Sequence, residues 1–129
     1  MAAEREEAQQ SCEDFVPYFV EWCVSVERTH TPFVAVDGES VVGMAWLARL
    51  PRSPRPGPTY RFDGDLQTVF VVPEHRNGGV GAGLVDTVLR HAWAQGIAAV
   101  SVSSSTRAVS LYQRCGFTGL PPHLRISKP

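Results

Sequence analysis

The sequence predicts a mixed α/β (α+β) single domain, with a mixed central sheet that opens on an antiparallel hairpin and continues into a strand–helix–strand unit flanked by helices. Three observations carry this reading. Asp37-Gly38, a strong tight-turn signal, separates two short strand patterns. A β-branched apolar run at 66–72 leads through a Gly-rich turn into a helical pattern, and then into a second β-branched run at 97–102. The length, 129 residues, suits one domain with its own hydrophobic core.

The elements follow in order. Residues 2–12 are rich in Ala, Glu and Gln and nearly all polar, a short solvated helix or a frayed end. Pro17 suits the first turn of a second helix. Phe19, Trp22, Cys23 and Val26 recur there at helical spacing and form its buried face. Thr31-Pro32 interrupts that pattern. Strands at 33–36 and 41–47 make the hairpin, and Gly43 and Ala45 alternate with larger residues in the second. Residues 50–59 hold four prolines, which predicts a long surface loop with Arg52 and Arg55 solvated.

The run 66–72 reads as a central strand that Pro73 ends. A turn at 77–81 opens a helix over 82–94, with Leu84, Val88 and Ala92 on one face and Val85 and Leu89 beside it. Gln95-Gly96 closes the helix. A strand at 97–102, a short helix at 106–114 and two last short strands, at Phe117 and at 124–126, complete the chain. The unit 66–102 is expected to be a right-handed crossover between parallel strands. The domain spans 1–129, as a polar helical segment 1–30 and a core 31–127.

Composition removes several classes. The formal net charge is −1, so no global field draws nucleic acid or an acidic membrane. No apolar run reaches the length of a membrane span, and the Glu-rich start lacks the basic and apolar regions of a signal peptide. The three cysteines, Cys12, Cys23 and Cys115, form no Cys-x-x-Cys pair. Neither a disulfide framework nor a zinc site is expected, and reduced thiols suit a cytoplasmic protein. His30, His91 and His123 make no metal-like constellation, and His75 reads as solvated.

The chemistry centres on the turn between 69 and 84. The first amides of the helix that follows have no partner within it and sit at the positive end of its dipole, an arrangement suited to phosphate or pyrophosphate. Gly78, Gly79 and Gly81 let the backbone approach an anion closely. A Walker loop requires Lys-Ser/Thr where Ala82-Gly83 stands. A dinucleotide fingerprint requires G-x-G-x-x-G, whereas the third glycine here comes one residue early. A phosphate-loop enzyme of either kind is therefore disfavoured.

Arg76-x-x-Gly79-x-Gly81, preceded by Val71-x-Pro73, resembles the acetyl-CoA signature of the GNAT superfamily of N-acetyltransferases. Downstream, Ala108-x-x-Leu111-Tyr112-x-x-x-Gly116-Phe117 is similar to that superfamily's second signature. The resemblance implies that the backbone of Val69, Phe70 and Val71 pairs with the pantetheine arm where their strand splays from its neighbour, one N–H polarising the thioester carbonyl. It implies that Asn77, Gly78, Gly79, Val80, Gly81 and Ala82, with Arg76, hold the pyrophosphate. Tyr112 then protonates the departing thiolate, as a phenol with a pKa of about 10 is able to do at neutral pH.

Asp65 is the candidate base, acting directly or through a water, with Asp63 as its substitute; the plain alternative is a pair of solvated loop carboxylates. Ser105 stands where the superfamily often has Asn and is a weaker cofactor contact. The superfamily's usual first strand is not apparent before residue 12, which leaves a sheet edge open to homodimer formation. The implied function is transfer of an acetyl group from acetyl-CoA to a primary amine, with no metal. The alternative is an acyl-CoA-binding module with little or no activity.

Overall fold

The computed structural model describes residues 2–57 and 60–129, with side chains from residue 14 onward. The helical segment up to His30 and the unit Thr31–Pro129 are each compact in themselves. In the first, one helix, α1 (Ala2–Ser25), replaces the two expected, and Pro17 lies inside it rather than at a first turn. No glycine or earlier proline stops the helix formers that precede Pro17. Phe19, Trp22, Cys23 and Val26, the residues picked out by their spacing, are half-buried, as is His30 at the end of this segment. Stacked rings run along it, Phe15 to Phe19 at 5.7 Å and Phe19 to Trp22 at 5.6 Å. No helix of the described residues is long and apolar enough to cross a membrane.

The second unit is built on a five-stranded sheet in the order β1-β2-β3-β4-β5. Strand β1 (His30–Asp37) and β2 (Ser40–Arg52) flank a two-residue turn. Gly38 adopts φ 61° at its first central position, which a glycine takes without steric cost. Thr31-Pro32 does not interrupt β1. β1 is an edge strand of the sheet, the position at which a strand tolerates proline. The described residues hold no strand before β1.

Strand β2 runs further than expected, through Pro51 and Arg52 and into what reads as loop, because β3 (Arg61–Val71) pairs with it as far as Arg52↔Arg61. Strand β3 likewise starts five residues early, so Asp63 and Asp65 are strand residues and not loop carboxylates. Helix α2 (Val80–Ala94), β4 (Ala99–Ser103), a 3-10 turn at Thr106–Ala108, α3 (Val109–Arg114) and β5 (His123–Ser127) follow. Phe117 belongs to no strand. It is buried in the core, and only the neighbouring Thr118 makes an isolated bridge, to Arg125.

The core lies between α2 and one face of the sheet. Leu84, Val85, Val88, Leu89 and Ala92 are buried along α2. They cluster with Ala45, Leu47, Leu66, Val100 and Val102 of the strands. Val85 and Val88 are fully buried, and each contributes about 1.5–3 kcal/mol relative to exposure. Gly64 sits where this packing is tightest: a Cβ there would stand 2.9 Å from Leu47 Cδ1 and 3.2 Å from Val100 Cγ2. Gly64→Ala is expected to lower stability by about 1–2 kcal/mol, as overpacking outweighs the entropy gained. A denaturant melt checks this; an unchanged midpoint would mean that the core yields there without cost.

Two irregularities of β3 position the site. Met44 pairs with Phe70 but Trp46 with Gln67, so Ala45 alone stands opposite Thr68 and Val69. Thr68 takes φ 51° in this bulge, a conformation a β-branched residue rarely adopts. The extra residue shifts the in–out alternation by one. Leu66 faces the core before it, and Val69 and Val71 pack toward the core after it. The second irregularity is the end of pairing with β4. The two strands run parallel over Gly64↔Val100, Asp65↔Ser101 and Leu66↔Val102 only, and beyond Leu66 they part.

Candidate functional site

A cavity of about 630 Å³ opens where β3 and β4 part. Val69, Phe70 and Val71 form one side of it, and Asn77, Gly79, Gly81 and Ala82 a second. The third side comes from Ser105 and from the 3-10 turn and α3, through Arg107, Ser110, Leu111 and Arg114. Such a groove exists because β4 ends at Ser103 and the chain turns away into α3, leaving the last part of β3 without a neighbour on that side.

The free edge is polar. Val72 N–H donates to Val42 C=O at 2.9 Å, so the intervening Val71 directs its own N–H and C=O to the opposite side, toward the groove. Its C=O accepts a bond from Arg76 Nε at 2.9 Å. The Arg76 guanidinium also lies 5.5 Å from the centre of the Phe70 ring. Two contacts thus hold Arg76 at the rim.

The turn into α2 curls through two left-handed residues, Asn77 at φ 64° and Gly79 at φ 87°. Gly79 is the N-cap of α2, with no side chain to satisfy the helix end. The first intrahelical bond runs from Gly83 N–H to Gly79 C=O at 3.0 Å. The N–H groups of Val80, Gly81 and Ala82 precede it and have no partner within the helix. No acidic residue stands in the first turn to offset the dipole. A Cβ on Gly81 would stand 3.3 Å from Leu111 Cδ2, so glycine lets the start of α2 approach α3 closely.

Of the residues read as cofactor contacts, Val69, Phe70, Val71, Arg76, Asn77, Gly79, Gly81, Ala82 and Ser105 line the cavity. Gly78 and Val80 do not; Val80 packs toward the core. His75 lines it as well, and its Nε2 lies 3.1 Å from Asp37 Oδ2 rather than in free solvent. Arg107 and Arg114 are cavity residues that sequence reading missed. With Ser110 and Leu111 they recur at helical spacing around a tyrosine motif, and that spacing was the available signal.

The two residues read as catalytic stand apart from this lining. Tyr112 follows Leu111 but turns into the core, 5% exposed, with its ring 5.5 Å from that of Phe117 and tilted 62° to it. Burial pushes its phenol above the ordinary value, and the neighbouring Cys115 thiol pushes it the same way. Asp65 pairs with Ala48 and Ser101 across the sheet, on the face away from α2, and its Oδ2 accepts a bond from Gln67 Nε2 at 2.9 Å. Asp63 lies 3.5 Å from Arg52 and 3.8 Å from Arg125.

Residues 2–117 match the profile of the acetyltransferase (GNAT) family. No curated protein sequence matches the chain. Among solved structures, the chain is similar to a GCN5-related N-acetyltransferase from Ralstonia eutropha JMP134, at 22% identity and a TM-score of 0.71 over 98% of this chain and 85% of that one. It is similar to glucosamine-6-phosphate N-acetyltransferase from Arabidopsis thaliana, at 19% identity and a TM-score of 0.69 over 91% and 77% of the two chains. A third similar structure is a predicted acetyltransferase with acetyl-CoA from Clostridium acetobutylicum, at 16% identity and a TM-score of 0.68 over 85% and 70%. At these identities the likeness is one of fold.

Proposed function

This chain belongs to the acetyltransferase (GNAT) family, and from that premise we propose that it transfers the acetyl group of acetyl-CoA to a primary amine by direct attack on the thioester. The observation that carries this reading is the meeting of two features in one groove. A strand edge freed by the β3–β4 splay ends at a glycine turn that lines the same cavity and leads into the helix amides left without an intrahelical partner. An extended amide-bearing arm with a pyrophosphate at one end is the ligand shape that such a groove accommodates.

In this reading the pantetheine arm lies along Val69, Phe70 and Val71, adding to β3 as a short strand. The pyrophosphate sits on the amides from Asn77 to Ala82, with Arg76 beside it. The Val71 N–H is the groove-facing donor available to polarise the thioester carbonyl, and it strengthens as charge develops on that oxygen. The amine attacks the carbonyl carbon, the C–S bond breaks, and the thiolate takes a proton that Tyr112 supplies. Asp65, which does not line the cavity, takes the amine proton through a water.

Titration calorimetry with acetyl-CoA, followed by an amine panel read out as released thiol, tests the proposal. Saturable binding and amine-dependent thiol release are the expected results. A folded protein that binds no acetyl-CoA would overturn the cofactor assignment. Binding without thiol release across small amines and peptide amines would leave an acyl-CoA-binding module instead.

A further inference from the structure

The cavity carries more positive charge than a pyrophosphate requires. Arg76, Arg107 and Arg114 all line it, and no Asp or Glu does. That concentration stands out on a chain with 12 Lys and Arg against 13 Asp and Glu. The glycine turn and Arg76 together already suit the two charges of a pyrophosphate. Arg107 and Arg114 belong to the opposite side, built by the 3-10 turn and α3. They stand seven residues apart, about two helical turns, with Ser110 between them in the lining. Arg114 is partly fixed, since its Nε donates to Ser110 C=O at 3.3 Å. Neither arginine has a carboxylate partner among the ion pairs of the described residues, whereas Arg90 on α2 is paired with Asp86 at 2.9 Å.

Resting on the acetyl-CoA reading, we infer that Arg107 and Arg114 form a second anion subsite that holds the ribose 3′-phosphate of CoA and makes the protein select CoA over carriers lacking that group. CoA bears its third phosphate on the ribose, beyond the pyrophosphate, and this phosphate is close to dianionic at neutral pH. Guanidinium groups bind such an oxyanion through paired, charge-assisted hydrogen bonds. Placed across the groove from the glycine turn, the pair grips the nucleotide end of the ligand from the side that the turn leaves open. The Ser110 hydroxyl is a further donor between them.

The test is a cycle of calorimetric titrations. Acetyl-CoA and its 3′-dephospho analogue are each titrated into the wild-type protein, Arg107→Ala, Arg114→Ala, the double variant, and Arg90→Ala as a charge-matched control outside the cavity. Wild type and Arg90→Ala are expected to prefer acetyl-CoA by about tenfold or more. The double variant is expected to bind both ligands within about twofold of each other, with its affinity for the dephospho analogue within about threefold of wild type. Circular dichroism confirms that each variant is folded. Equal binding of the two ligands by wild type would overturn the inference and leave the cofactor reading standing. A preference that survives in the double variant would do the same. Failure of wild type to bind either ligand would remove the cofactor reading and the inference together.

Discussion

Gly81→Glu is expected to abolish acetyl-CoA binding, with a loss of at least about 100-fold in affinity, while the protein stays folded. The position is the second residue of α2, in the cavity lining and among the amides that precede the first intrahelical bond. A carboxylate there occupies the positive end of the helix that the pyrophosphate would use. At about 4 Å and an effective dielectric near 20, two like charges repel by about 4 kcal/mol, ample to account for the loss. The same carboxylate is favourable to the free helix, by about 0.3–1 kcal/mol, because α2 has no acidic residue in its first turn. That gain offsets crowding against Leu111, whose Cδ2 would lie 3.3 Å from the new Cβ. Gly81→Ala separates the two effects, since it brings the Cβ without the charge and is expected to keep affinity within about tenfold. Calorimetry and a thermal melt on both variants decide the matter. A folded Glu variant that binds acetyl-CoA at native affinity would take the pyrophosphate away from this turn.

The glycine turn before α2 was legible in the sequence because each of its requirements is local. Glycines at 78, 79 and 81 and a helical pattern from Leu84 onward need no knowledge of distant contacts. The hairpin turn at Gly38 and the α2 core face were legible for the same reason. The start of β3 was hidden because Asp63 and Asp65 look like loop residues, and only their places on the sheet make them strand residues. Asp63 stands near Arg52 and Arg125, and Asp65 near Gln67. The bulge was hidden more deeply. Nothing in a β-branched Thr68 announces a positive φ, yet that one residue shifts which of the following side chains face the core. Its effect reaches the groove, because after the shift Val69 and Val71 pack inward and Phe70 meets Arg76. Continuity of α1 through Pro17 ran against the ordinary preference of proline for a first helical turn.

Tyr112→Phe is expected to lower kcat by about 100-fold and to leave acetyl-CoA affinity within about twofold. The split matters because Tyr112 does not line the cavity, and its ring is buried against Phe117. A residue used only for packing would give a different signature. Phe fills nearly the same volume, so loss of the hydroxyl would then leave both turnover and affinity unchanged. If Tyr112 supplies the thiolate proton, its competent form is the neutral phenol, and burial raises its pKa above the ordinary value of about 10. The donor therefore stays competent through neutral and mildly alkaline pH, and a fall of kcat in that range must come from another group. The same shift has a consequence for stability. The unfolded chain loses the phenolic proton near pH 10, before the folded protein does, so above that pH it binds fewer protons and stability falls as pH rises. Below pH 10 the term is constant. Tyr112→Phe should remove this alkaline loss, so that wild type and variant unfold alike near neutrality and diverge above pH 10, with the variant the more stable. Equal turnover in the two proteins, together with that divergence, would assign Tyr112 to the core and pass the protonation step to water.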